Sequence, residues 1–290
     1  MVRLGHLLRL DMDFEKSLES SLLRHLARET GTPSNLAEAI RYSLLAPGKR
    51  IRPRLLIECG RMLQVNETAL VAAAVALEMV HCFTLIHDDL PCMDNDDFRR
   101  GMPSSHKKFG ESLALLAGDA LLSLGFDSLF DSADLISPLF FQNGLKRFAW
   151  AIGPRGVVGG QAAEALVVKR PTLIGLTDMH ARKTGALFSA ALLIPMDFAG
   201  ISESSPRGSG LVAFAATLGN AFQIADDLED EESYDPMSIL FYKNAKAASE
   251  DASQTLSCSI DSLKDVFGRS SDGLTGIAQS VLKELKKAIT

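Results

Sequence analysis

The segment VAAAVALEMVHCFTLI, residues 71–86, carries a single acidic residue, Glu78, and then stops abruptly in DDLPCMDNDDFRRG, residues 88–101. A run this apolar has to be buried, yet it ends in five aspartates, one proline and two adjacent arginines. On a helix through 71–90, residues 81, 84, 85 and 88 share a face at i, i+3, i+4 and i+7. His81 and Asp88 therefore look the same way. Pro91 cannot donate the next helical hydrogen bond, so the helix is expected to end around Leu90, which lets Asp94 swing back beside Asp88 and Asp89. Like charge at the negative end of a helix calls for a cation. Carboxylate oxygens alone suit Mg²⁺, whose coordination is completed by water and phosphate oxygens.

Most of the chain repeats the pattern of that first segment. Leu, Ala and Met abound, and alternating runs of Val, Ile, Tyr and Thr are scarce. The periodicity predicts helices over 13–30, 35–46, 53–64, 67–91, 111–133, 137–151, 175–200, 207–232, 236–267 and 272–288. Punctuation by GTPS, APGK, GMPSS, RGVVGG, SSPRGSG and SSDGLTG falls between them. No linker, charge block or short-period repeat divides the sequence, so one all-α domain over 1–290, of ten or more packed helices, is expected. With 47% hydrophobic residues in 290, the chain can bury a large core. A formal net charge of −6 argues against a nucleic-acid partner. Cys59, Cys82, Cys92 and Cys258 form no CxxC or zinc-finger spacing and read as reduced thiols of a cytoplasmic protein. No transmembrane segment is expected, because Glu78 interrupts the longest apolar run.

A second acidic cluster stands in FQIADDLED, residues 222–230. In helical projection Gly219, Phe222, Gln223, Asp226, Asp227 and Asp230 lie within about 100° of one another. Two such clusters argue against a merely solvated face, since burying like charge near a core costs several kcal/mol without a partner. Facing one another, they would hold Mg²⁺ with a diphosphate between them. Basic residues supply the complement: in PGKRIRP, Gly48, Lys49, Arg50 and Arg52 precede Pro53, read here as the first residue of a helix whose free N–H groups attract anions. Lysine beside a bidentate arginine makes a phosphate pocket.

The segments SLLAPGKRIRP, EMVHCFTLIHDDLPCMDNDDFRRGMPSSH, LAGDALL, GGQAAEA, HARKTGALF and FQIADDLED resemble, in order, the motifs of the trans-isoprenyl diphosphate synthases. The likeness is to the bacterial farnesyl and plant-type geranylgeranyl diphosphate synthases, and covers roughly residues 40–230. It implies helices around a deep central cavity, a homodimer, and the condensation of isopentenyl diphosphate with an allylic diphosphate, dimethylallyl or geranyl. It implies two or three Mg²⁺ ions, replaceable by Mn²⁺, held by Asp88, Asp89, Asp94, Asp226, Asp227 and Asp230. Arg99 and Lys183 would grip the allylic diphosphate. Gly48, Lys49, Arg52, His81 and Arg100 would hold isopentenyl diphosphate. Lys183, Thr184 and Gln223 would steady the carbocation, and the released diphosphate would take the proton.

Five residues before the first aspartate stands Phe83, about 7.5 Å deeper along the helix. By the resemblance its ring stops the growing chain at farnesyl length, C15, with Thr84 sharing the cavity floor; a C20 product is the alternative. Two departures from the family pattern stand out. Glu164 in GQAAE replaces an Asp, and the lysine-bearing loop after Asp230 is missing, which raises the alternative of a weakened or regulatory diphosphate-binding subunit. A terpene cyclase, lacking a second diphosphate substrate, has no use for Lys49, Arg52 and His81. His87 reads as structural, Asp119 as a buried hydrogen-bonding residue, and Cys82 and Cys92 as packing residues.

Overall fold

In the computed structural model, residues 12–165, 171–229 and 237–287 are described. Helices α1 (Met12–Leu26), α2 (Ser34–Leu44), α3 (Ile51–Met62), α4 (Glu67–Asp88), α5 (Ser105–Phe109), α6 (Glu111–Phe130), α7 (Pro138–Ile152), α8 (Val157–Ala165), α9 (Leu173–His180), α10 (Ala186–Phe198), α11 (Pro206–Glu229), α12 (Ala245–Phe267) and α13 (Asp272–Lys287) follow one another. Strands β1 (Phe98–Arg99) and β2 (Met102–Pro103) form an antiparallel hairpin with Phe98 opposite Pro103. The fold is all-α, as the periodicity predicts. The described residues form two compact units, an N-terminal one over 12–57 and 66–137 and a C-terminal one over 58–65 and 138–287.

In the N-terminal unit α4 is central, with α1, α2 and α6 packed against it. Asn66 caps its start, the side chain accepting from the N–H of Thr68 at 2.9 Å and of Ala69 at 3.2 Å. From Ala69 to Ile86 nearly every side chain is buried, which accounts for an apolar surface on all sides of one helix. By length and composition alone α4 and the stretch 111–135 are long and apolar enough to cross a membrane, so Glu78 does not have the effect expected of it. Since 83% of its most apolar 18-residue stretch is buried, the apolarity of α4 is that of a core helix.

In the C-terminal unit α10 holds the corresponding place, buried along its whole length, with α7 and α11 against it and α12 and α13 against α11. A Cβ on Gly219 of α11 would stand 3.2 Å from the Cα of Gly185, so the backbones meet where glycine permits. A cavity of about 1190 Å³ opens between α7, α10 and the 199–212 segment, lined by Trp150, Leu193 and Asp197 and by none of the candidate site residues.

Several boundaries differ from the periodicity. The predicted helix 175–200 is interrupted by a π-helical turn over Ala181–Gly185, and the one predicted from 236 starts at Ala245, where Asn244 accepts from the N–H of Ala247 at 2.8 Å. Helices α5 and α8 are unanticipated, since runs of five and nine residues carry too little periodicity to read. Pro53 is the third residue of α3, not the first; it is tolerated because the leading N–H groups of a helix have no partner inside it. The α4 helix ends at Asp88, two residues before Leu90.

Candidate active site

Beyond α4 the chain folds back on the helix end. The N–H of Asp94 donates to the carbonyl of Asp88 at 2.9 Å, and those of Met93 and Asn95 donate to Leu90 at 2.8 and 3.1 Å. Asn95, at φ 55°, takes the left-handed turn that lets this happen. Asp88 is half-buried and Asp94 exposed, joined through the backbone at one helix terminus. Asp89 is different. It is 2% exposed, and Arg99 donates to its Oδ1 from Nε at 2.8 Å and Nη2 at 2.5 Å; Nη2 also reaches Asp96 Oδ2 at 2.6 Å. Burial raises the Asp89 pKa, opposed by Arg99. Burial alone would lower Arg99, but its hydrogen bond and charge contact with Asp89 carry it upward.

The RRG of the first motif makes the hairpin. Arg100 and Gly101, both at positive φ of 56° and 78°, are its two loop residues, the combination that suits the twist of a tight hairpin. Arg100 packs its guanidinium against Gly48, where a Cβ would lie 2.7 Å from its Cζ. On α4 the Nε2 of His81 lies 3.2 Å from Nη1 of Arg52. Burial, and then the charges of Arg52, Arg100, Arg50 and Arg99, hold the His81 pKa well below its usual value. A neutral ring facing an arginine, which can only donate, accepts through Nε2 and carries its proton on Nδ1. Gly48, Lys49, Arg52, His81 and Arg100, grouped by sequence for isopentenyl diphosphate, all lie in this unit, and Lys49 is half-buried.

In the C-terminal unit the π turn carries Lys183 and Thr184. Gly160 of α8 packs against it so closely that a Cβ would stand 2.4 Å from the Lys183 backbone nitrogen. Lys183 pairs with Glu164. Thr184 Oγ1 donates to Gln223 Oε1 at 2.7 Å, and Gln223 Nε2 to Asp227 Oδ1 at 2.8 Å. Asp227 also accepts at Oδ2 from the N–H of Ile239 at 2.7 Å and from Ser238 Oγ at 3.2 Å. It is a buried anchor for the returning chain, while Asp226 beside it is half-buried. Asp230 lies outside the described residues, as does the chain from there to Pro236.

The donor set fits a divalent cation of the Mg²⁺ kind. Asp88 and Asp94 in the N-terminal unit, and Asp226 in the C-terminal one, are oxygen donors of this kind; Asp89 is engaged by Arg99, and Asp227 by Gln223, Ser238 and Ile239. Among the described residues no three His, Cys, Asp or Glu side chains gather closely enough to hold an ion by themselves. Water and phosphate oxygens would complete the shell, as Mg²⁺ prefers.

Phe83 is 5% exposed and meets His87 edge-on at 5.4 Å; Thr84 donates to the His81 carbonyl at 2.8 Å. His87 is structural, 3.1 Å from the Leu115 carbonyl and seated on Gly118. Asp119, expected to be buried, is exposed, its carboxylate standing 3.8 Å from His87 of α4. Cys82 is buried, its thiol pushed up to about 12, whereas Cys92 is exposed on the turn after Pro91. Sequence reasoning passed over Asp96 as the second partner of Arg99, and Glu78, which receives Arg50. A lone carboxylate inside an apolar helix, three residues before His81, was the available signal.

A family model described as polyprenyl synthetase matches residues 33–238. The chain is 44% identical over 204 residues to the heterodimeric geranylgeranyl pyrophosphate synthase large subunit 1, chloroplastic, of Arabidopsis thaliana, covering 68% of this chain and 54% of that one. It is 43% identical over 220 residues to the farnesyl diphosphate synthase of Geobacillus stearothermophilus, covering 75% and 73%. The chain therefore spans about half the length of the plant relative. Among solved structures, an FPP/GFPP synthase from Zymomonas mobilis superposes with a TM-score of 0.84 at 33% identity, covering 92% of this chain and 96% of that one. A geranyltransferase from Legionella pneumophila gives 0.86 at 29%, covering 93% and 95%.

Proposed function

The chain belongs to the polyprenyl synthetase family, and on that premise we propose that it is a trans-prenyltransferase joining isopentenyl diphosphate to an allylic diphosphate. The observation that carries the reading is the cluster of arginines around His81. A neutral imidazole, held by Arg52 and surrounded by arginines, is a recognition site for a polyanion, separate from the carboxylates at the end of α4. A chemistry that uses one diphosphate needs only one of these features.

In this reading Gly48, Lys49, Arg52, His81 and Arg100 bind isopentenyl diphosphate. By the family resemblance Asp88 and Asp94, and likewise Asp226 of the second motif, would be ligands for Mg²⁺, which when bound neutralises the departing diphosphate. Arg99, fixed by Asp89, and Lys183, fixed by Glu164, address the allylic diphosphate. As its C–O bond breaks, the allylic cation meets the oxygens of Thr184 and Gln223. C4 of isopentenyl diphosphate attacks it, and the new cation loses a proton to the released diphosphate. The buried Phe83 ring supports a C15 product. A homodimer is supported by α6, whose exposed Leu115, Leu116 and Phe130, at 45%, 51% and 52%, fall within about 100° of arc.

Incubating the purified chain with Mg²⁺, isopentenyl diphosphate and radiolabelled geranyl diphosphate tests the reading, with labelled farnesyl diphosphate expected. Binding without extension, and extension only on adding a second subunit, would replace it by the regulatory-subunit reading.

A further inference from the structure

Two arginines in the N-terminal unit have left-handed backbones, Arg50 at φ 44° and Arg100 at φ 56°. Non-glycine residues hold that conformation only where the surroundings impose it, and such strain gathers at functional sites. The two come from distant segments, one from the turn before α3 and one from the hairpin loop, and both side chains converge on Glu78 of α4. That carboxylate is 1% exposed. Arg50 pairs through Nη1 with Glu78 Oε1, and Nη2 donates to the carbonyls of Leu44 at 2.8 Å and Ala46 at 2.7 Å. Arg50 thus spends its fork inside the protein. Arg100 Nη2 stands 3.9 Å from the same Oε1, too far for a hydrogen bond, with its guanidinium flat on Gly48.

Glu78 is therefore shared unequally, one guanidinium locked and one held only by charge. Its Oε2 has no hydrogen-bond partner among the described residues, uncommon for a buried carboxylate unless it serves some purpose beyond packing. Burial lowers the Arg100 pKa, Glu78 opposes this, and Arg50 and Arg99 add to it. Without Glu78 the crowded guanidiniums of Arg50 and Arg100 would repel one another.

We propose that Glu78 is a positioning residue, a buried counter-ion that fixes Arg50 as a strut and keeps Arg100 loosely aimed across Gly48 at the diphosphate of the homoallylic substrate. The proposal rests on the function given above. It assigns to Gly48 the part of a shelf for Arg100, and to Arg50 no contact with substrate. His81 stands on the same helix three residues on, so one element sets both ligand groups.

Glu78→Gln separates positioning from charge. Removing a negative charge beside an anion site would by itself tighten binding of isopentenyl diphosphate. If Glu78 positions Arg100, binding weakens instead. The expected result is a KM for isopentenyl diphosphate raised about tenfold, the loss of one well-placed charge-assisted hydrogen bond, with kcat and the allylic KM within about twofold. Unchanged or tighter binding overturns the proposal, as does an equal fall in all parameters. Calorimetric titration of both proteins with isopentenyl diphosphate gives the same comparison if the wild type makes no product, so failure of the enzymatic reading remains distinguishable. Should Glu78→Gln not fold, Gly48→Ala, which drives Arg100 off its shelf, must weaken isopentenyl diphosphate selectively; unaltered binding in that variant also overturns it.

Discussion

Two nitrogens of Arg99, Nε and Nη2, donate to a single oxygen of Asp89, at 2.8 and 2.5 Å. The aspartate is buried, so its part in the motif is to hold the arginine. Asp89→Asn keeps the shape and weakens the hold. Steady-state kinetics should show the KM for the allylic diphosphate rising about tenfold while that for isopentenyl diphosphate changes little. A uniform fall in kcat for both substrates would point to Asp89 as a metal ligand.

Adjacent aspartates of the second motif should separate in the same way. Asp227→Ala strips an acceptor from Gln223, Ser238 and Ile239 and should cost about 2–4 kcal/mol of stability, seen as a lowered Tm. Asp226→Ala should raise the Mg²⁺ concentration needed for half-maximal activity.

Gly160 allows α8 to lie against the backbone that presents Lys183. Gly160→Ala places a methyl 2.4 Å from a main-chain nitrogen, which cannot rotate away. The expected cost is about 1–3 kcal/mol of stability, with a kcat loss larger than the change in either KM.

Asp197 supplies a pH dependence. Burial raises its carboxyl, Arg147 hydrogen bonds at 3.1 Å and at a shorter contact oppose this, and Glu203 adds to it. Because the folded chain keeps this proton where the unfolded chain has lost it, the stability concerned is present below the ordinary carboxylate value. It is lost as pH rises through the raised one. Between pH 7 and 4 the Tm of the wild type should therefore climb relative to Asp197→Asn; parallel curves would show an ordinary carboxyl.

Product length tests Phe83. Phe83→Ala opens space below the α4 terminus and removes the edge contact with His87, and chromatography of the products should show longer chains. An unaltered distribution assigns the floor to other side chains.

Helical periodicity and punctuation in this sequence determine the all-α class, the order of the long helices and the turn after Asp88, because each depends on neighbours within a few residues. Asn66, Pro91 and the Arg100–Gly101 pair act locally, and their effects are legible one residue at a time. Other features depend on what stands opposite. Asp88 and Asp89 are chemically identical neighbours, yet a rotation of about 100° along the helix turns one to the helix end and the other to Arg99. Asp226 and Asp227 divide likewise, Asp227 being engaged by a segment eleven residues further on. Glu78 looks like an interruption in an apolar run until two arginines from elsewhere in the chain meet on it. Tertiary structure decides these roles because the protonation and use of a buried charge follow from its partners and its distance from water, and neither is a property of the residue alone.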